Sequence, residues 1–282
     1  MSRLFDGLLD DAALFPPADL EMPDAVVAHL AHRSSAYEAL VGTFVVAAQD
    51  LEDLAAEVAG LPPRSVRVSV TLPVASVCQV VGATDRIAAV RLGAVEAVPP
   101  PGRSADMVVG QLRSLLAERP VTAYVEVPRD ERRDDYIAAL AGTTMRAKLR
   151  TGGVVAELYP SCEELAGSVV ALVRAGVPFK ATAGLHHAIR NIDPVTGFDQ
   201  HGFLNLMVAT DAAIHGAEVP AVADLLAERD PAAVAHRARL LDPQVRSTFL
   251  SFGTCSIADP VEELVALGLL PTDHRVIQAA LR

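Results

Sequence analysis

Lys148 and Lys180 stand out by their setting. Each closes a short apolar run, in "MRAKLRTGG" and "VPFKATAG", and each is followed by Thr and Gly, in a chain whose basic residues are mostly Arg. Arg150 lies two residues beyond Lys148 and Thr182 two beyond Lys180, so on extended backbone each pair shares one side of its strand. A lysine buried there is costly unless it is paired or neutral. A neighbouring cation lowers a lysine pKa, because charging both groups is unfavourable. The neutral amine is the form that attacks a carbonyl to make a Schiff base. Lys148, depressed by Lys180 and Arg150, is therefore the candidate nucleophile. The same residues also allow two blander readings, in which the lysines pair with Glu96 and Glu126 as structural ion pairs or hold an anion without covalent chemistry.

Histidines follow the second lysine closely, at His186, His187 and His201. One of the adjacent pair would serve as acid/base helper. A metal site built from the three with a Glu is the alternative, although the spacing fits no zincin or finger pattern. Arg190 could grip a carboxylate or phosphate bidentately or pair with Asp193. His215, His236 and His274 receive no role, and Cys255 reads as a small packed residue rather than a nucleophile.

These residues need a frame that brings strand ends together. Short β-branched runs at 42–48, 65–73, 94–100, 121–128, 145–153, 177–184 and 247–257 alternate with helical patterns at 51–61, 85–93, 107–118, 132–142, 160–176 and 259–270. A first strand is expected within "DDAALFPPA". That alternation means βαβ units on a parallel sheet, and about eight of them over 282 residues predict a single (β/α)8 TIM barrel spanning 1–282. The rival, an open doubly wound sheet, lacks a GxGxxG or GxxxxGK[ST] turn after any strand. A helical insertion of about 186–246 separates strands 7 and 8. It is too long for an ordinary connection of roughly 2–6 residues, so it is expected to flank the pocket mouth or to make a subunit contact. In a barrel, chemistry gathers at the C-terminal ends of the strands. Glu96, Glu126, Lys148, Arg150, Lys180, Thr182, His186, His187, Thr254, Cys255 and Ser256 fall there.

With those motifs in view, the chain resembles the deoxyribose-phosphate aldolase family of class I aldolases, a group of TIM barrels. The family's Schiff-base lysine sits in K-T-S-T-G on the sixth strand, and Lys148-Leu149-Arg150-Thr151-Gly152 is similar. Its second lysine sits in K-A-S-G-G on the seventh, like Lys180-Ala181-Thr182-Ala183-Gly184. Gly253-Thr254-Cys255-Ser256 looks like its phosphate-binding G-T-S-S turn, Glu126 like the Glu of its fifth strand, and "LLDDAALFPPA" like its first strand. The resemblance implies covalent lysine chemistry with no cofactor. Four departures limit it. Val98 stands where the family has a fourth-strand acid, with Glu96 two residues earlier on the same face; Arg150 replaces a small hydroxyl residue; the seventh-strand turn reads "GLHHAIR" rather than a Gly-rich phosphate cradle; and the insertion exceeds the family's crossover.

The expectation is thus a Schiff-base lyase of class I aldolase type acting on a small anionic carbonyl compound. Lys148, Lys180, Glu96, Glu126, His186 and His187 form its catalytic set, and Arg150, Thr182, Gly184, Arg190, Gly253, Thr254 and Ser256 hold substrate. The alternatives are a metal-dependent lyase or hydrolase and a non-catalytic small-molecule-binding barrel. A net charge of −11 and pI near 5.1 argue against nucleic acid and anionic membrane surfaces as partners. Three scattered cysteines, Cys78, Cys162 and Cys255, and an N-terminus without an apolar core predict a reduced cytoplasmic protein, expected as a homo-oligomer.

Overall fold

Buried Val, Ala and Leu runs pair side by side into one closed sheet. The computed structural model describes residues 3–119 and 121–271, so His274 lies outside the described residues. The elements run β1 (Leu9–Asp11), α1 (Met22–His32), β2 (Val41–Ala47), α2 (Leu51–Glu57), β3 (Val66–Pro73), α3 (Val77–Thr84), β4 (Val90–Val98), α4 (Ala105–Leu116), β5 (Thr122–Glu126), α5 (Arg133–Leu140), β6 (Arg146–Arg150), α6 (Cys162–Arg174) and β7 (Phe179–Thr182). A small antiparallel hairpin, β8 (Asn191–Ile192) and β9 (Asp199–Gln200), comes next. Then follow α7 (Phe203–Ile214), α8 (Val219–Ala227), α9 (Pro231–Arg239), β10 (Phe249–Thr254) and α10 (Ala258–Ala266). The barrel closes in the order β1-β10-β7-β6-β5-β4-β3-β2, with every neighbouring pair parallel. The fold is a (β/α)8 TIM barrel with additional helices between β7 and β10.

Local chemistry accounts for these boundaries. The α6 helix opens on Ser161, whose hydroxyl accepts from the Glu164 amide, and Gly176, just past its end, takes φ +64°. The Val177 and Gly176 amides then reach back to the Leu172 and Val173 carbonyls, the paired closure that a left-handed glycine permits. Two expectations shift. The helix expected at 85–93 lies instead at Val77–Thr84, where Val77, Val80, Val81 and Thr84 supply the buried stripe, and β4 begins already at Val90. The first strand lies at Leu9–Asp11, upstream of most of "DDAALFPPA".

The additional helices do not cover the pocket mouth. Almost the whole of α7 is buried, and it packs against α6, α8, α9 and β10 on the outside of the barrel. Phe203 stacks on Phe252 with ring centroids 4.8 Å apart, a pairing worth about 1 kcal/mol beyond its buried area. The apolar face that called for a partner finds it within this chain. No helix among the described residues is long and apolar enough to cross a membrane.

Candidate active site

Parallel register brings the two lysines side by side: Glu126 is the partner of Lys148 on β5 and β6, and Lys148 that of Lys180 on β6 and β7. The glycines that follow each lysine are then also brought together. A Cβ on Gly152 would stand 2.8 Å from the Gly184 Cα and 2.6 Å from the Tyr159 ring. Gly184 is left-handed as well, at φ +71°, next to Ala183 at +64°. The recurring Lys-x-x-x-Gly spacing is the sequence trace of two loops that cross in contact.

Both amines point into the barrel and are almost wholly buried, Lys148 at 3% exposure and Lys180 at 1%. Lys180 donates to Asp10 Oδ2 at 2.7 Å and to Glu96 Oε1 at 2.6 Å. Asp10 is itself saturated, by the Thr43 amide and hydroxyl on one oxygen and by the Ser251 hydroxyl on the other. Lys148 sits 3.4 Å from the second Glu96 oxygen and 3.1 Å from Glu126 Oε2. Arg150 Nε donates to the other Glu126 oxygen at 3.2 Å. Three cations thus face three carboxylates, and Glu96 bridges the two amines. The ion pairing that a purely structural reading expects is present, with Asp10 as an added member. The sequence expectation of bare cations crowding Lys148 is corrected, because carboxylates intervene.

Electrostatics divide the group. Burial pushes the Glu96 carboxyl up, but the Lys180 and Lys148 charges and the hydrogen bonds from Lys180 and Ser69 outweigh it and hold it at about 2. Burial likewise opposes charge on Lys180, yet Asp10 and Glu96 raise its pKa well above the ordinary lysine value. Burial also works against ionised Glu126, and Lys148 and Arg150 overrule it, so its pKa is lowered. Its Oε2 is buried without a hydrogen-bond partner. Lys148 stands 3.1 Å from that oxygen, in ion-pair contact.

A cavity of about 140 Å³ opens above the group at the C-terminal ends of the strands. Its lining includes Glu96, Lys148, Lys180, Arg150, Thr182 and His186, together with Val98, Gly253 and Cys255. It is smaller than the roughly 300 Å³ and upward of drug-sized ligand sites, so it suits a small molecule. His186 Nδ1 lies 3.3 Å from Cys255 Sγ. Burial, then the nearby His187, lowers the His186 pKa, and burial raises that of Cys255, so both are neutral at neutral pH. The remaining expected residues lie elsewhere. His187 turns to Glu263 at 2.6 Å, a hydrogen bond that raises its pKa. Arg190 pairs with Asp199 at 2.6 Å and donates to His201, whose other ring nitrogen lies 2.8 Å from the Pro160 carbonyl. Thr254 donates to the Ser256 carbonyl within its own turn, and Gly184 packs under Tyr159. The three histidines therefore have separate partners, and no group of three or more His, Cys, Asp or Glu among the described residues could hold a metal ion.

Asp10, Ser69, Thr43 and Ser251 are absent from the sequence reading. For Asp10 the signal was available: two adjacent acids, Asp10 and Asp11, inside an apolar strand. Asp10 faces the barrel interior and Asp11 faces His29 of α1 at 2.9 Å.

No family model matches the chain, and no curated protein sequence is similar to it. Among solved structures it is similar to a dihydrodipicolinate synthase from Bacillus clausii, at 9% identity and TM-score 0.45, over 99% of this chain and 79% of that one. A monomeric dihydrodipicolinate synthase variant aligns at 11% identity and TM-score 0.43, covering 99% and 95% of the two chains. The dihydrodipicolinate synthase of Thermotoga maritima gives 10% and 0.43, covering 99% and 97%. These likenesses concern the fold, and the barrel itself is established by the closed sheet of this chain.

Proposed function

We propose that this barrel is a Schiff-base-forming lyase of class I aldolase type acting on a small anionic carbonyl compound. One observation carries the reading: the only two lysines of the 282 residues are neighbours in strand register, both buried, and both line the same small cavity. A chain that otherwise uses Arg for positive charge places at this point the side chain that can lose its proton and attack. The family resemblance of the lysine motifs agrees with this reading.

Lys148 is the proposed nucleophile because its two carboxylate contacts are longer than those of Lys180, which is pinned as an ammonium. Glu126, whose Oε2 lies 3.1 Å from the amine, is the group assigned to take its proton. The amine adds to the substrate carbonyl, and loss of water gives an iminium. Cleavage of the bond between the α and β carbons sends its electron pair into that iminium and forms an enamine, while His186 takes the proton of the β-hydroxyl and the β-carbon leaves as an aldehyde. Protonation of the enamine and hydrolysis then free Lys148. Glu96, ionised down to about pH 2, acts as the fixed counter-ion rather than the shuttle. Arg150 receives the anionic end of the substrate, and neutral His186 is the acid/base helper at the mouth. The setting is a cytoplasmic homo-oligomer, which light scattering and cell fractionation check.

The full pairing of three cations with three anions favours one second reading, a barrel that binds a small molecule without turning it over. Borohydride separates the two. Reduction in the presence of small 2-oxo acids and phosphorylated aldehydes, followed by peptide mass mapping, should give an adduct at Lys148. Lys148→Ala should lose both adduct and turnover while keeping the wild-type fold. A broad panel that yields no adduct would leave the binding reading standing.

A further inference from the structure

We propose that the opposite, N-terminal rim of the barrel binds a small multivalent oxyanion, a phosphate ester or an oligocarboxylate, at Arg64, Arg67, Arg91 and Arg119. These arginines line a depression of about 600 Å³ at the start of β3, β4 and β5, far larger than the lysine cavity. Among the described residues, one carboxylate, Asp85, lies in that lining, and Arg119 takes it at 2.7 Å. Arg64, Arg67 and Arg91 have no carboxylate partner among the described residues. In a chain of net charge −11 such a concentration of unpaired positive charge needs a counter-charge.

The backbone is arranged around this cluster. Arg67 and Arg91 are register partners on β3 and β4, so two like charges stand directly side by side. Like charges opposite one another destabilise a sheet, and an anion bridging them removes that cost. The register of the two strands slips between Val68 and Ser69, which leaves Gly93 as the bulged residue. The Arg67 side chain lies across that glycine: a Cβ there would come within 2.7 Å of its Nε. Arg64 is held in the left-handed region at φ +59°, unusual for a residue with a side chain, with its amide tied to the Ala88 carbonyl at 2.8 Å. The floor is apolar, including Val81, Ile87 and Val121. Guanidiniums above an apolar floor suit an organic anion, because their forked donors match phosphate and carboxylate oxygens. This site is independent of the chemistry proposed at Lys148.

Calorimetric titration of the full chain with inorganic pyrophosphate and with citrate, at low and at physiological salt, tests it. We expect one saturable site for at least one probe, weakened by salt as exposed charge pairs are. The tighter of the two probes tells whether phosphate or carboxylate is the better fit. Arg67→Ala and Arg91→Ala should each weaken binding about tenfold. Gly93→Ala keeps every charge but displaces the Arg67 side chain, so it too should weaken binding. Arg237→Ala, on the exposed face of α9, should bind as the parent does. The proposal fails if neither probe binds saturably at low salt. It fails equally if Arg237→Ala weakens binding as much as Arg67→Ala, or if Gly93→Ala and Arg91→Ala both bind like the parent, since binding would then follow net charge and not this site.

Discussion

Replacing Glu96 by Gln tests the central ion group most directly. Gln keeps the shape and can still accept the Ser69 hydrogen bond, but it removes the charge shared by Lys148 and Lys180. A carboxyl held at about 2 instead of the ordinary 4.5 corresponds to roughly 3 kcal/mol, at about 1.4 kcal/mol per tenfold change in proton affinity. Loss of one partner from a buried pair typically costs about 3–5 kcal/mol, which agrees. For a chain of this size a loss of about 3 kcal/mol lowers Tm by about 6–12 °C. The sign with pH follows from the depressed carboxyl. Its contribution is complete above about 4.5 and is lost as pH falls toward 2. The gap between wild type and Glu96→Gln, measured by urea unfolding, should therefore be full at pH 7 and narrow below about 4.5. Adding Lys180→Met should recover part of the loss, because the ammonium then no longer lacks its counter-charge. A gap below about 1 kcal/mol at pH 7, or one that does not change between pH 7 and 3, would refute the assignment of Glu96 as the ionised bridge.

Three further outcomes are expected. Lys180→Met alone leaves Glu96 facing Lys148 without its second cation, so the pH optimum of turnover should move upward and kcat should fall, as a pH–rate profile would register. Burial depresses the His201 imidazole to about 4, so the unfolded chain binds a proton that the folded chain refuses between about 6.5 and 4. Stability should fall with pH through that window by up to about 3 kcal/mol, and His201→Gln should flatten this part of the urea-derived profile. Gly184→Ala must place a Cβ 2.9 Å from the Gly152 Cα at φ +71°, whereas Gly176→Ala meets open space at φ +64°. Both pay the left-handed penalty of about 1–2 kcal/mol, and Gly184→Ala adds an overpacking cost of about 1–3 kcal/mol, so thermal melts should rank it well below Gly176→Ala.

The barrel was legible because each of its longer strands is a dense apolar run and its turns carry Pro or Gly at the right places. What was lost was lost for identifiable reasons. The α1 stripe is Met22, Ala25, Val26 and His29, and the polar His29 breaks the apolar pattern that marks a helix. The α3 segment is rich in valine, which reads as strand, and only packing against its neighbours makes it helical. Lys148, Lys180 and Glu96 were visible because a charged residue inside an apolar run is conspicuous. Ser69, Thr43 and Ser251 were not, because a small hydroxyl residue in a strand carries no signal until its partner is known. Arg190 and His187 are near Lys180 in sequence, but each has its own partner outside the cavity lining, at Asp199 and Glu263.

The contact between Gly152 and Gly184 ties the two lysine segments into one heritable unit. Neither loop can gain a residue without losing its place under Tyr159. Neither strand can slip by one position without turning its lysine from the cavity to the helical layer, because side chains alternate along a strand. The two segments can therefore change in length only together. Grafting the chemistry of this barrel onto another scaffold would require moving both strands and their crossing loops as a block. A transplanted lysine alone would arrive without the backbone contact that sets its height.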